Sequence, residues 1–169
     1  MKTEDEMKRL AKAALTAVML ISLNQVVSAQ QLQIPQQGTT TYVTYYTSRF
    51  LSSLNMGEIG SPWLGELVGI TRNTDGQKIF DSMTVRCIYY FENVSGSRKH
   101  NGACIETDSD GDKVFTTFEG ETMTHTLIGG TGKYIGISGT AAYTSKQLPA
   151  PGEGLTANIT EHKVTWKLK

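Results

Sequence analysis

The chain reads as an all-β protein, and three observations carry that expectation. Segment 107–144 is a train of short alternating stretches broken by Asp-Gly and Gly-Gly turns. That is the pattern of an antiparallel meander, which at this size curls into a small sandwich or barrel. The last stretch sets His162, Val164, Trp166 and Leu168 on one face and Glu161, Lys163, Thr165 and Lys167 on the other, as a strand between core and water does. The one stretch with helical character, Phe50 to Asn55, is stopped by Gly57, Gly60 and Pro62.

Residues 1–29 read as a secretory signal peptide, helical before cleavage. Lys8, Arg9 and Lys12 supply a positive start, Ala13 to Leu23 an apolar run, and Val27-Ser28-Ala29 the small residues of a cleavage site. The apolar run is too short for a bilayer span, which needs about 20 residues. Glu4, Asp5 and Glu6 are foreign to such a leader, which fits a start at Met7. Residues 30–40 are Gln- and Thr-rich and read as a flexible lead-in, leaving 41–169 as one β domain.

Strands are expected at 41–48, 64–71, 82–92, 98–106, 113–119, 122–128, 136–146 and 158–168, with a Pro/Gly loop at 148–155. The 16 Lys and Arg residues balance the 16 Asp and Glu residues, and the positive charges are scattered rather than gathered in a stripe. Nucleic acid is therefore not expected as a partner.

The two cysteines fix a register. Asn93-Val94-Ser95-Gly96-Ser97 is a turn sequence, and Cys87 and Cys104 stand equally far from a hairpin centre between Ser95 and Gly96. Directly opposed residues at about 4.5–5.5 Å suit a disulfide, the ordinary state in an exported chain. A redox pair or metal thiolates are the rivals, but neither C-x-x-C spacing nor a His cluster accompanies them.

Asp108, Asp110 and Asp112, with Glu119 following, echo a calcium loop and are the candidate metal ligands. The echo breaks where such a loop needs Gly and this chain has Lys113. Asp110-Gly111 is also a favoured hairpin turn, and the turn is the preferred reading. Gly129-Gly130-Thr131-Gly132-Lys133 looks like a phosphate loop, but Leu127 and Tyr134 stand where Gly and Ser or Thr are required, and a strand follows. Its glycines fit positive φ in a wide turn.

Catalytic candidates are few. His125 alternates with Met123 and Leu127, His162 with Val164 and Trp166, and Glu66 with Leu64, Val68 and Ile70. A polar group on an apolar face is either bonded in the core or lines a cavity. A buried carboxylate is costly unless paired, and Arg86 is the partner expected for Glu66. Tyr42, Tyr45, Tyr46, Tyr89 and Tyr90 supply aromatic bulk for core or pocket wall. Asn93-Val94-Ser95 and Asn158-Ile159-Thr160 fit the glycosylation pattern.

Cys87 with Gly102-Ala103-Cys104, the run Thr107-Asp108-Ser109-Asp110-Gly111-Asp112, and the run Gly129-Gly130-Thr131-Gly132-Lys133-Tyr134-Ile135-Gly136-Ile137-Ser138-Gly139 together resemble the allene oxide cyclase-like barrel family. The likeness is to its exported bacterial members, and the second glycine run is also similar to the related dirigent proteins of plants. It spans about 82–146, in turn motifs rather than active-site motifs. What it implies is an eight-stranded antiparallel up-and-down β-barrel. In that group plant cyclases direct ring closure of a fatty-acid epoxide inside the barrel, and dirigent proteins steer radical coupling without oxidising anything. Members often form trimers, so a homo-oligomer is expected.

Three functions follow as expectations. The first is an exported barrel, secreted or periplasmic, that binds a small hydrophobic ligand without catalysis. The second is a cyclase or isomerase that needs no cofactor, with Glu66, His125 or His162 moving a proton. The third is a filled barrel acting through its surface. Arg86, Tyr89, Tyr90 and Trp166 are the candidate ligand contacts, and no membrane anchor is expected after signal cleavage.

Overall fold

A computed structural model describes residues 34–169. The signal peptide expected at 1–29 and the start of the lead-in lie outside the described residues. Eight strands follow in order: β1 (Gln37–Ser53), β2 (Trp63–Asn73), β3 (Thr84–Val94), β4 (Ser97–Thr107), β5 (Lys113–Glu119), β6 (Thr124–Gly130), β7 (Ser138–Leu148) and β8 (Leu155–Lys167). Each pairs antiparallel with the next, and β8 returns to β1 to close the barrel. Closure removes both sheet edges and leaves no unpaired strand to solvate.

β1 is longer than its alternation indicates. It starts within the expected lead-in, where Gln37 to Thr40 pair with Lys167 to Val164, and it runs through Phe50 to Ser53, read as a helical turn. The first segment pairs with β8 alone and the second with β2 alone, and the ladder bonds each gains outweigh weak strand propensity. A bulge between Phe50 and Ser52 bends the strand where it leaves β8.

The β3–β4 hairpin turns at Ser95 and Gly96, both at positive φ (50° and 84°), so that Val94 faces Ser97 and Cys87 faces Cys104. This is the register expected from the turn, and the two cysteines form a disulfide with Cα atoms 4.0 Å apart.

The two ends of the barrel differ. At one end the connections 74–83 and 131–137 fold inward, and Ile79, Phe80, Met83, Tyr134 and Ile137 pack with Tyr42, Val114, Leu127, Val164 and Trp166 into a sealed core. Phe80 takes φ of 55° to reach it. Strain of that kind costs about 1–3 kcal/mol, and complete burial of the ring returns a similar amount. The opposite end carries the connections 54–62, 120–123 and 149–154 and stays open. Among the described residues no helix is long and apolar enough to cross a membrane.

Candidate functional site

The open end is a cup of about 330 Å³. Eight strands enclose an interior that side chains can fill or that can hold one small ligand; this barrel is filled at one end and hollow at the other. Its two walls differ in chemistry. β2 to β5 contribute Trp63, Tyr89, Phe91, His100 and Phe118, while β1, β7 and β8 contribute Ser48, Ser145, Gln147, Thr156, Asn158 and Thr160 together with the phenols Tyr46 and Tyr143.

The ring wall is continuous. Trp63 meets Phe91 at 5.2 Å between centroids and Tyr89 edge-on at 5.3 Å; Phe118 meets His125 at 5.2 Å. On the polar wall Ser48 and Thr156 share a hydroxyl hydrogen bond, and Asn158 Nδ2 donates to Ser145 Oγ at 2.7 Å and to Thr160 Oγ1 at 3.1 Å. The Asn158 of the second glycosylation motif is thus turned into the cup, whereas Asn93 of the first is exposed near the hairpin tip.

The floor holds both interior histidines. His125 Nδ1 lies 3.4 Å from the Thr116 hydroxyl, and its ring meets Tyr143 at 5.1 Å and His162 at 5.3 Å. Beneath it His162 stacks on Tyr42 at 4.4 Å, with the two planes 6° apart. Burial pushes His125 down to about 4; burial, then the neighbouring His125, hold His162 well below the usual imidazole range. Both rings are therefore neutral at ordinary pH. Burial also lowers His100. Among the described residues, none that lines the cup is Lys, Arg, Asp or Glu.

The sequence-predicted residues divide between inside and outside. His125, His162, Tyr89 and Trp166 point inward, although Trp166 belongs to the sealed end, where its indole donates to the Pro35 carbonyl. Glu66, Arg86 and Tyr90 do not point into the barrel. Leu64, Val68 and Ile70, which share the face of Glu66, are 42%, 46% and 52% exposed and form its outer surface. The inward face of β2 is instead Gly65, Leu67, Gly69 and Thr71. The expected partnership of Glu66 and Arg86 does form, at 2.6 Å, and Arg49 completes it at 2.5 Å from the same carboxylate. The Arg86 and Arg49 guanidiniums hold that carboxyl below its ordinary range.

The acidic turn is closed by a cation from the glycine-rich turn. Lys133 Nζ, whose side chain is 7% exposed, lies 2.6 Å from Asp108, 2.5 Å from Asp110 and 3.6 Å from Asp112. Burial pushes Asp108 up, but Lys133 and the Asp110 backbone N–H more than offset it and hold the carboxyl below its ordinary range. Gly132 makes the approach possible: at φ of 54°, a Cβ there would lie 1.7 Å from Asp112 Oδ1. The two motifs that looked like separate ligand loops are thus halves of one ion-paired corner.

Several interior residues lie outside the sequence-derived candidates, among them Trp63, Phe91, His100, Phe118 and Tyr143 of the cup and, deeper in the barrel, Glu106. Glu106 is 3% exposed inside the barrel, and burial pushes its carboxyl up to about 7. Its position two residues after Cys104 is the signal that finds it, since a cysteine in an inward disulfide puts Glu106 on the same inward face.

No family model matches the chain, and no curated protein matches it. Among solved structures it is similar to the pterocarpan synthase dirigent protein PsPTS1, at 13% identity and a TM-score of 0.52, over 80% of this chain and 99% of that one. It also aligns with the pterocarpan synthase dirigent protein GePTS1, at 13% identity and a TM-score of 0.47, over 82% of this chain and 90% of that one. The likeness to PsPTS1 is one of fold, and the fold of this chain is a closed eight-stranded antiparallel barrel.

Proposed function

We propose that the protein is an exported barrel that holds a small, uncharged, ring-bearing molecule in its open cup. The observation that carries this is the division of the cup into a wall of stacked rings and a wall of hydroxyls and amides. A planar apolar body fits the first wall and neutral polar substituents fit the second. A carboxylate fits neither, because burying a charge without a partner is costly. This favours flat, hydroxylated ligands over free fatty acids. The disulfide supports export, since such bonds persist in oxidising compartments. PsPTS1 is a pterocarpan synthase dirigent protein; a substrate-directing role here is the second reading, and the interior histidines and Glu106 favour it by offering proton-handling groups.

Trp63 reports on the cup, while Trp166 is sealed at the far end. In a Trp166→Phe variant, saturable quenching of the remaining fluorescence by 2-naphthol, with none by palmitate, is the expected result. Equal response to both ligands would remove the charge argument. Response to neither, across a panel of neutral aromatics, would favour a barrel that acts through its surface.

A further inference from the structure

The cup and the sealed core meet at one layer of side chains. On β6, Leu127 belongs to the sealed core, and His125, two residues nearer the mouth, lines the cup. On β5, Val114 is in the core, Phe118 lines the cup and Thr116 lies buried between them. The His125 ring is 6% exposed and is held on three sides. Phe118 lies 5.2 Å away, and Tyr143 and His162 meet it edge-on at 5.1 Å and 5.3 Å. Its plane is therefore fixed before any ligand arrives.

The two nitrogens of that ring differ in their surroundings. Nδ1 lies 3.4 Å from the Thr116 hydroxyl. Nε2 makes no hydrogen bond among the described residues, and it is not enclosed by the packing as both nitrogens of His162 and the Tyr143 hydroxyl are. Polar atoms inside proteins are almost always bonded. A nitrogen that is open to a cavity and has no protein partner is a contact kept for what enters the cavity.

We propose that His125 is the specificity-determining residue of the cup: its Nε2 accepts a hydrogen bond from a phenolic O–H, and the ligands are phenols bound hydroxyl-down. Nδ1–H donates to the Thr116 hydroxyl, which selects the tautomer that leaves Nε2 bare. A bare imidazole nitrogen is a strong neutral acceptor, and a phenol is a stronger donor than an aliphatic alcohol. No proton is transferred. Burial opposes a charged imidazole, so the hydrogen stays on the phenol oxygen and no unpaired charge is created in the cup. The far end of such a ligand lies beside a polar ladder. Along β7 and β8 the pairs Tyr143 with His162, Ser145 with Thr160 and Gln147 with Asn158 succeed one another from floor to mouth.

This inference rests on the cup reading above and narrows it to one ligand class. The test compares 2-naphthol with 2-methylnaphthalene, which has the same shape and no O–H. In the Trp166→Phe background both should quench Trp63. His125→Phe should weaken 2-naphthol about tenfold and leave 2-methylnaphthalene within about twofold. Equal weakening of both, or of neither, overturns the role of His125 and leaves the cup reading standing. Quenching by neither ligand before His125 is changed overturns the cup reading and this inference with it. The imidazole itself gives a second readout, which serves if His125→Phe does not fold. His100 also lines the cup, so ¹⁵N-histidine spectra would be taken in a His100→Phe variant, where only His125 and His162 remain. Binding of 2-naphthol should move one ring-nitrogen resonance upfield, as acceptance of a hydrogen bond does, and 2-methylnaphthalene should not. Bound 2-naphthol with no movement, or with movement downfield, overturns the proposal.

Discussion

Tyr89 occupies the space that a side chain would take at Gly65, its directly opposed neighbour on β2: a Cβ there would stand 2.6 Å from the ring. On its other side Tyr89 faces Gly102, again without a side chain. The ring is therefore held in the cup wall by the gap at Gly65, while the gap at Gly102 takes the Phe118 ring, 2.7 Å from where a Cβ would stand. Gly65→Ala closes one gap and pushes the ring into the cavity. Overpacking of this kind costs about 1–3 kcal/mol, and 2-naphthol should bind more weakly. Urea unfolding and the Trp63 titration measure the two effects; unchanged affinity would show that Tyr89 does not shape the cup.

Glu66 lies outside the barrel, between the exposed guanidiniums of Arg49 and Arg86. Glu66→Gln should leave the Trp63 titration unchanged at every pH. A changed affinity would mean that the outer face communicates with the cavity, against the alternation of β2.

The Cys87–Cys104 bond joins β3 to β4 in the wall beneath Tyr89. Replacing both cysteines by serine should cost roughly 3 kcal/mol by the loop-entropy argument, read as a lower denaturation midpoint. An unchanged midpoint would show that strand pairing alone holds this wall.

Two buried groups set opposite pH slopes. Glu106 is raised from 4.5 to about 7 in the folded barrel, so the fold binds its proton more tightly than the unfolded chain does. That stability is complete below pH 4.5 and is lost as pH rises through 7, about 3 kcal/mol in all. His125 is lowered from 6.5 to about 4, so its contribution is complete above pH 6.5 and is lost as pH falls through 4, again about 3 kcal/mol. Between 4.5 and 6.5 the two nearly cancel, and His162, which burial also holds well below its ordinary range, leaves a net gain of stability with rising pH there. Glu106→Gln should remove the loss on the alkaline side and leave the acid loss, so that the variant gains on the wild type as pH rises. Urea midpoints measured against pH test this, and parallel curves for the two proteins would show that Glu106 titrates normally.

The local order of this protein is legible in its residues alone. Asp-Gly and Ser-Gly turns placed the hairpins, period-two alternation gave the strands, and the turn at Ser95-Gly96 fixed Cys87 opposite Cys104. These features are legible because turn chemistry and side-chain alternation act over a few residues. The resemblance of the turn motifs indicated a closed barrel, and the pairing of β8 with β1 bears it out. Which face of β2 lies inside was decided only by the tertiary structure. Alternation defines two faces without saying which is inward, and on β2 the more apolar one, Leu64, Val68 and Ile70, is turned to the outer surface. Tyr46 fills the space over Gly69, and Tyr89 the space over Gly65, so the glycine-bearing face can form the wall. The same closure buries Glu106, leaves one end hollow, and brings Lys133 to the acidic turn across residues distant in sequence. Each depends on contacts between strands that no local pattern encodes, because an inward direction exists only once the sheet has closed.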